Sequence, residues 1–386
     1  MIDSVVLKLE ASQFKVLDEA CLDGRETKQV NGKFAVTAAF SSQAKLAKQQ
    51  GEYFPRITLP ERTVKKPDGK KEVIKTLEIQ VSLPKLMYGT NLLEVDCTDL
   101  EAIYFKLVLA LEKIHIRTTT YELSKAVLKR VDFSKVIRLP DYLGEARQVL
   151  KILANFNYKP HSDFAVKQYN DVSEGMALKF WNSTQGYVIY DKLGEIIANG
   201  YTKMEQGLVN EIQDKKLKRN VIKFELSLER KQSLEAVLRR FITIKRHDFT
   251  LSDIMTSSDI SRAILLEAFD KVYSSSTTGI ITLSQMAENE LEQYLLGKNL
   301  AVKRHALVYY LVNMTTKIGV GSMWEQMAQR MKGGSYDRYK KEVSLILMEL
   351  GQITGNIPNL IGYLRNQHQK FALYRTKSYD SNVKYC

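Results

Sequence analysis

A change of pattern near Lys231 constrains the fold of this chain more than any other feature of its sequence. Before Lys231, segments in which apolar and polar residues alternate are mixed with segments of helical spacing; beyond it, the spacing is helical almost throughout. Alternation is typical of strands with one buried face, and a period of about 3.6 residues is typical of amphipathic helices. The sequence therefore predicts an α+β fold, with an antiparallel sheet and helices on one side of it over about 1–232, followed by an all-α domain over about 240–386.

The charge of the chain suggests a polyanionic partner. Its 386 residues include 57 Lys and Arg against 44 Asp and Glu, which gives a formal net charge of +13. Nucleic acid is the commonest polyanion that a basic protein binds. Because many basic proteins bind no nucleic acid, DNA binding has to be argued from motifs.

What the sequence lacks disfavours several classes of protein. It has no apolar run of the ~18 residues that a membrane span needs, and its first residues alternate like a strand rather than resembling a signal peptide. Three scattered cysteines and five dispersed histidines argue against a disulfide scaffold, a thiolate zinc site and a paired-histidine metal motif. A Walker loop, a dinucleotide fingerprint and a nucleophile-elbow serine are also missing. We expect a soluble protein of a reducing compartment that uses neither ATP nor NAD.

Local patterns predict the individual elements. Strands are predicted at 4–9, 33–40, 74–83, 121–136 and 220–228, hairpins at 61–75 and 176–192, and helices at 99–113, 142–156, 209–218, 259–273, 284–296 and 302–318. The first hairpin has a basic tip that contains Pro67, Asp68 and Gly69, which are typical turn residues.

Three acidic residues lie inside predicted strands, where carboxylates are rare. They are Glu78, Asp132 and Glu225, each flanked by alternating apolar residues. A buried carboxylate needs a cationic partner or a metal ion. If their strands were neighbours in one sheet, the three could converge as oxygen ligands of Mg²⁺ or Mn²⁺. The alternative is that each acid faces solvent or pairs with a base such as Arg130 or Lys223.

A tyrosine near the end of the second hairpin is a candidate nucleophile. Tyr190 is followed by Asp191 and Lys192. A phenol close to a divalent cation can attack a phosphodiester and hold it as a phosphotyrosine, while a nearby ammonium neutralises charge that develops on the phosphate. The chain has 20 tyrosines, most of which pack or face solvent, and Tyr187 in the same hairpin is the obvious rival. The residues alone leave the choice between the two open.

Two predicted helices in the last third of the chain have the arrangement of a helix-turn-helix. They span 323–350 and are joined by a turn at 332–335. The second helix begins with aromatic and basic residues from which we expect DNA contacts, mainly to phosphates: Arg338, Tyr339, Lys340 and Lys341. The alternative is an ordinary helical hairpin with a solvated basic face.

Five motifs follow one another in an order that resembles a known family. They are MIDSVVLKL at the start, YGTN at 88–91, RVD at 130–132, YVIYDK at 187–192 and FE at 224–225. In these motifs the chain resembles the rolling-circle replication initiators of filamentous phages and related plasmids, the gene II and gene X protein family. The resemblance extends to about residue 230, and the helical region beyond it matches the family in position more than in motif.

The resemblance implies site-specific nicking and closing of one strand of a double-stranded replicative DNA at its origin. The tyrosine that attacks the origin phosphate corresponds to Tyr190, and the basic residue two positions later is Lys192. The enzyme would stay on the 5′ phosphate, free a 3′ hydroxyl for a host polymerase, and later rejoin the displaced single strand into a circle. A host helicase as partner and the cytoplasm of a bacterial host as location are further implications of the resemblance.

The resemblance also implies a set of metal ligands. The acid of the RVD motif is Asp132, and the acid of the FE motif is Glu225. In the strand before YGTN the matching acid is Glu78, with Gln80 on the same face. This Glu-x-Gln pair stands where relatives in the broader nickase superfamily carry two histidines, which are stronger ligands than glutamine. Mg²⁺ or Mn²⁺ is the cofactor expected at these four residues.

Two other functions are compatible with the sequence. One is a non-catalytic origin-binding protein of replication or copy control, in which Glu78, Asp132 and Glu225 form structural ion pairs. The other is a relaxase that acts in conjugation, with the same chemistry at a different origin. A covalent tyrosine adduct with origin DNA would separate the first alternative from a nicking enzyme.

Overall fold

A computed structural model describes most of the chain. The described residues are 1–18, 24–30, 33–39, 41–65, 71–155, 165–171, 175–182, 185–244, 248–273, 288–298, 300–318, 326–331, 334–352 and 360–374. The predicted basic hairpin tip (66–70) and part of the predicted helix-turn-helix turn (332–333) lie outside these ranges.

Eleven of the described strands form one antiparallel sheet, and two further strands, β2 and β8, pair separately. The order across the large sheet is β10-β11-β12-β13-β9-β1-β7-β5-β4-β3, with β6 paired to β5. The strands are β1 Ile2–Leu9, β2 Lys15–Val16, β3 Gly24–Val30, β4 Lys33–Ala39, β5 Arg56–Lys65, β6 Lys71–Lys75, β7 Leu77–Ser82, β8 Ile116–Arg117, β9 Val127–Arg138, β10 Ala165–Asp171, β11 Gly175–Trp181, β12 Gly186–Asp191 and β13 Val221–Leu228.

Helices lie between the strands and make up the elements described after residue 240. They are α1 Ser41–Gln49, α2 Leu83–Tyr88, α3 Leu100–Glu112, α4 Thr120–Ser124, α5 Ala146–Asn155, α6 Lys192–Asn199, α7 Lys203–Gln213, α8 Lys231–Leu238, α9 Leu251–Ile254, α10 Ser258–Val272, α11 Glu288–Leu296, α12 Val302–Ile318, α13 Gly334–Gln352 and α14 Leu360–Lys370. In the part of the chain that the structure describes, no helix is both long and apolar enough to cross a bilayer. The predicted α+β fold is confirmed.

The main core lies on one face of the sheet. Alternation along β13 directs Phe224 and Leu226 to this face, because successive side chains of a strand point to opposite sides. Phe269 of α10 and Leu364 of α14 belong to the same core. Helices that follow residue 240 therefore pack on the sheet built by the first part of the chain, and the predicted domain boundary between 232 and 240 stays a prediction.

A smaller apolar cluster covers one end of the opposite face. Val136 of β9 and Val221 of β13 pack there against Leu193 and Ile196 of α6 and Leu208 of α7. The expectation of helices on one side of the sheet is corrected by this cluster. Helices pack on both faces of the sheet because α6 and α7 carry apolar stripes of their own, which require a second surface to bury them.

Two predicted elements differ from the structure because of capping residues. The pattern predicts one strand over 121–136, but α4 occupies the first part, where Thr119 accepts a hydrogen bond of 3.1 Å from the main-chain nitrogen of Glu122. The helix predicted at 209–218 begins earlier, at Lys203, because Thr202 and Glu205 form a capping box.

His368 is a buried titratable residue of the main core. Its ring centroid lies 4.7 Å from that of Phe224 and 4.8 Å from that of Phe269. The Nδ1 atom is 2.8 Å from the carbonyl oxygen of Leu364, and Nε2 has no hydrogen-bond partner among the described residues. Burial lowers the pKa of His368 to about 4, so the imidazole is neutral in the folded protein at neutral pH.

We predict that acid weakens the fold through His368. In the unfolded chain its pKa returns to about 6.5, so below that pH the unfolded state binds a proton that the folded state excludes. Between about pH 7 and about pH 5 this costs about 2 kcal/mol of the free energy of unfolding. Urea unfolding of wild type and His368→Leu at both pH values measures it: the variant should lose less stability on acidification. An equal loss in both proteins would contradict the prediction.

Candidate active site

Alternation along β12 separates two tyrosines. Tyr187 and Ile189 face the main core, whereas Tyr190 faces the opposite side of the sheet. The ring centroid of Tyr187 lies 6.4 Å from that of Phe180 and 6.1 Å from that of Phe224, and its buried hydroxyl has no hydrogen-bond partner among the described residues. A phenol in these surroundings is shielded from any substrate. Of the two tyrosines, only Tyr190 lies on a polar face.

The hydroxyl of Tyr190 begins a chain of polar contacts. It donates a hydrogen bond of 2.6 Å to Oε1 of Glu225 on β13. The same carboxylate oxygen lies 3.1 Å from Nζ of Lys223, and this Nζ lies 2.7 Å from Oδ1 of Asp3 on β1. Lys223 is the direct cross-strand partner of Tyr190, so the two side chains share a face of the sheet. A phenol, two carboxylates and an ammonium thus form a continuous network.

A second ammonium lies beside the tyrosine ring. Helix α6 begins at Lys192 because Asp191 caps it. Nζ of Lys192 is 5.7 Å from the ring centroid of Tyr190, 2.6 Å from Oδ1 of Asn91 and 2.5 Å from Oε2 of Glu195. The side chain of Lys192 is fully buried. Its position is therefore fixed by two oxygen partners before any substrate binds.

The YGTN segment supplies oxygen partners to both lysines. Helix α2 ends at Tyr88, and Gly89 follows with a φ of 72°, a conformation that glycine adopts without strain. Asn91 accepts a hydrogen bond from Lys192 through its side chain and another from Lys223, at 3.3 Å, through its main-chain carbonyl. The turn at Gly89 thus positions one residue that contacts both ammonium groups.

Burial and charge shift the pKa values of the site in different directions. Burial, reinforced by the charge of Glu225, raises the pKa of Tyr190 well above its ordinary value. Burial alone would raise the pKa of Glu225, but Lys223 and the Tyr190 hydroxyl lower it below the ordinary value. Burial also lowers the pKa of Lys192, with Glu195 acting in the opposite sense. At neutral pH the phenol is therefore protonated and hydrogen-bonded to an ionised carboxylate.

Asp132 lies on the same face but in a separate contact group. One strand, β13, lies between its strand and that of Tyr190. The guanidinium of Arg130 donates two hydrogen bonds to its carboxylate, at 3.2 and 3.1 Å, and the hydroxyl of Ser4 donates a third. Asp132 is paired across the sheet with Ser227, two residues beyond Glu225 on β13. It is thus the predicted ligand that lies nearest to the tyrosine network after Glu225.

Glu78 and Gln80 lie farther from the tyrosine. Both are on β7, and two strands, β1 and β9, separate β7 from the strand of Glu225. At about 4.8 Å between neighbouring strands, β7 lies about 14 Å from β13. Glu78 forms an ion pair with Lys129, and Gln80 is exposed. The sequence pattern indicates which residues share a face of the sheet, and Glu78 and Gln80 do lie on the face that carries Glu225. The pattern contains no information on strand order, which sets their distance from Glu225.

The four predicted metal ligands do not fit a single divalent cation in this arrangement. Three oxygen ligands of one ion have to approach it within about 2.0–2.6 Å, and each predicted carboxylate is instead held by its own lysine or arginine. Within the described ranges, no three histidine, cysteine, aspartate or glutamate side chains are grouped closely enough to hold a metal. The Mg²⁺ or Mn²⁺ ion expected from the resemblance stays a prediction.

The predicted DNA-binding residues lie on the second half of the helical region, in α13. Arg338, Lys340 and Lys341 are exposed, and Tyr339 is half-buried. The guanidinium of Arg338 lies 5.0 Å from the centroid of the Tyr339 ring, a distance typical of a cation–π contact. The cluster therefore presents positive charge on the outside of the helix, as the sequence pattern indicates, and its contact with DNA stays a prediction.

The tyrosine network includes Asp3, Asn91 and Lys223, which are not among the site residues predicted from the sequence; Lys223 is expected only as a base that could pair with an acid. Asp3 lies one position before the predicted strand at 4–9, so the signal that identifies Glu225, an acid inside a predicted strand, does not reach it, although the structure includes Asp3 in β1. Asn91 carries no signal beyond its place in YGTN, because a neutral side chain at a turn is common. Asp3 and Asn91 enter the network only through contacts between elements that are distant along the chain.

Comparison with known proteins places the chain in a family. A family model for the N-terminal region of a replication-associated protein, the gene II protein of phages, matches residues 1–241. Searches of curated proteins and of solved structures each found no match. The matched region contains all the described strands together with Asp3, Tyr190, Lys192, Lys223 and Glu225. Since the match covers more than half of the chain, the protein belongs to the filamentous phage gene II family of replication initiators.

Proposed function

We propose that this protein initiates rolling-circle replication by nicking one DNA strand at an origin and later rejoining it through a phosphotyrosine at Tyr190. The observation that carries the proposal is the hydrogen bond of 2.6 Å from the Tyr190 hydroxyl to Glu225, on the polar face of the sheet and beside the buried ammonium of Lys192. Membership of a replication initiator family supports a role at a DNA origin. The substrate is double-stranded replicative DNA, and the displaced single strand is the product that is closed.

The proposed reaction is a transesterification in which Glu225 accepts a proton. The phenol proton passes to Glu225 as Oη of Tyr190 forms a bond to phosphorus. The bond from phosphorus to the 3′ oxygen breaks, and that oxygen takes up a proton from solvent to become a free 3′ hydroxyl. Attack by a 3′ hydroxyl on the phosphotyrosine reverses these steps and closes the strand. The energy of the phosphodiester is kept in the covalent link, so no ATP is consumed.

Lys192 is proposed to stabilise the transition state. A phosphorane-like transition state carries more negative charge than the diester, and a fixed ammonium in a dry site stabilises it without reorganisation. The ammonium of Lys192 is already held next to the ring of Tyr190 by Asn91 and Glu195. A phosphate that reached Tyr190 would come close to it.

The origin duplex is proposed to contact the helical region through α13. Arg338, Tyr339, Lys340 and Lys341 supply phosphate contacts in this proposal. A host polymerase that extends the 3′ hydroxyl and a host helicase that separates the strands are the further proposed partners.

Whether Mg²⁺ or Mn²⁺ takes part is checked by nicking in EDTA, where full activity would contradict the predicted ion.

The ion pairs on the sheet favour one second candidate. Asp132 with Arg130 and Glu78 with Lys129 are pairs of the kind that a non-catalytic origin-binding protein would also contain. Such a protein would bind origin DNA but would form no covalent adduct with it. The adduct assay on Tyr190 therefore decides between the two functions.

We predict that Tyr190→Phe abolishes nicking and leaves origin binding intact, because the change removes one oxygen and retains the ring. The substrate is a supercoiled plasmid with the origin of the element that encodes this protein, and the covalent adduct is detected on a denaturing gel. Tyr187→Phe is the matched control, since its hydroxyl is buried with no hydrogen-bond partner among the described residues, and it should nick like wild type. Adduct formation by Tyr190→Phe would rule out this nucleophile.

We predict that Glu225→Gln slows adduct formation by about 100-fold or more, the usual loss when a positioned general base is removed. Glutamine retains the shape and can still meet the Tyr190 hydroxyl, but it cannot take its proton. The rate is measured under single-turnover conditions, and plasmid binding serves as the control for folding. A variant with the wild-type rate would show that the proton leaves by another path.

We predict that Arg338→Gln with Lys341→Gln weakens origin binding and lowers the slope of log affinity against log salt by about two, one for each phosphate neutralised in wild type by these two side chains. Affinity is measured at several salt concentrations by fluorescence anisotropy. A matched control neutralises Lys113 and Arg117, two exposed cations near the β8 strand. If both double variants changed the slope equally, or neither did, α13 would have no specific role in DNA binding.

A further inference from the structure

Two carboxylates of the tyrosine network share one buried lysine. Nζ of Lys223 lies 2.7 Å from Oδ1 of Asp3, 3.1 Å from Oε1 of Glu225 and 3.3 Å from the main-chain oxygen of Asn91. The side chain of Lys223 is 1% exposed. Carboxylate and carbonyl oxygens are the ligands that a hard cation takes in proteins. Here the group that they surround is an ammonium.

We infer that Lys223 is the resident cation between Asp3 and Glu225, in the place that a divalent ion bound to these carboxylates would need. This inference rests on the proposed function, because it assigns Glu225 to proton transfer from Tyr190 rather than to a metal. Oxygens that bind Mg²⁺ or Mn²⁺ directly lie about 2.0–2.2 Å from the ion. An ion in contact with both carboxylates would overlap the ammonium, so one excludes the other.

The sheet itself builds this arrangement. Lys223 and Glu225 are two residues apart on β13 and therefore point to the same face. Asp3 lies at an irregularity in the register between β1 and β9, between the paired positions Ile2 and Ser4. Such irregularities redirect side chains, and this one coincides with the contact from Asp3 to Lys223 across β9. The ammonium is thus held between Glu225 of its own strand and Asp3 of β1, across the intervening strand β9.

The other acids near Tyr190 are also neutralised by side-chain cations. Glu195 is held by Lys192 and Asp132 by Arg130. Lys223 differs from these two cations in that one of the carboxylates it binds is the hydrogen-bond partner of the tyrosine. We therefore assign it as a positioning residue that acts through Glu225.

The first test replaces the ammonium by an uncharged group of similar length. Lys223→Met should slow adduct formation by about 100-fold, in line with the loss of one fixed electrostatic group, while plasmid binding is retained. Lys135→Met is the matched control: Lys135 is a buried lysine of the neighbouring strand β9, paired with Glu94 at 2.8 Å, and it faces the main core. The control should be destabilised to a similar degree but should form adduct at the wild-type rate.

The second test reads metal binding directly and does not depend on activity. Mn²⁺ is titrated into the full chain, and bound ion is measured by electron paramagnetic resonance. As single substitutions, Asp3→Asn and Glu225→Gln should bind Mn²⁺ like the wild-type chain, since neither residue binds the ion. Lys223→Asp places a third carboxylate beside the two and should create a new Mn²⁺ site. The double variant that also carries Asp3→Asn should lose this new site.

The outcomes separate this inference from the proposed function. If Asp3→Asn or Glu225→Gln removes a Mn²⁺ site from wild type, the inference is overturned, although the phosphotyrosine reaction can still be correct. If wild type forms no adduct under any condition, the proposed function fails, and the Mn²⁺ titrations still decide what occupies this position. If Lys223→Met reacts like wild type, or Lys223→Asp gains no Mn²⁺ site, Lys223 is not the cation of the site.

Discussion

The alternation of side chains along β13 is the constraint on which both the core and the candidate site depend. Phe224 and Leu226 enter the main core, and Lys223 and Glu225 enter the tyrosine network, from the same eight-residue strand. A shift of one residue in the pairing of this strand would exchange the two sets. It would place two charges in the core and remove the hydrogen-bond partner of Tyr190. The stability of the core therefore maintains the register that the site requires.

The site contains more buried charge than stability alone would favour. Lys192 and Lys223 are almost completely buried, and the removal of water from an ammonium costs several kcal/mol that a pair only partly recovers. Breaking one such pair commonly costs about 3–5 kcal/mol, because the remaining charge is left without a partner. These groups are thus held rigidly, which is the condition under which fixed charges stabilise a transition state most effectively. Within the proposed function, these fixed charges serve the reaction at Tyr190 rather than the stability of the fold.

Much of the fold and part of the site could be predicted from the sequence. The change from alternating to helical spacing predicts the fold class, and the acid inside the strand around Glu225 identifies a residue that does contact Tyr190. Tyr187 and Tyr190 are three positions apart in YVIYDK, so strand alternation places them on opposite faces, but apolar neighbours on both sides leave open which face is the core. Strand order could not be predicted, because it depends on contacts between distant segments. Glu78 obeys the same local pattern as Glu225 but lies three strands away from it. The sequence pattern could not predict this separation.

The two buried lysines are not equivalent with respect to an incoming phosphate. Lys223 is enclosed by Asp3, Glu225 and a main-chain oxygen, and its side chain is 1% exposed. Lys192 is equally buried, but its partner Glu195 is 31% exposed, and within the proposed function a phosphate takes the place of this carboxylate at the ammonium. A diester that displaced Glu195 would meet Lys192 next to the Tyr190 ring while Lys223 kept Glu225 ionised and in place. Within the proposed function, the first lysine thus meets the substrate and the second holds the proton acceptor.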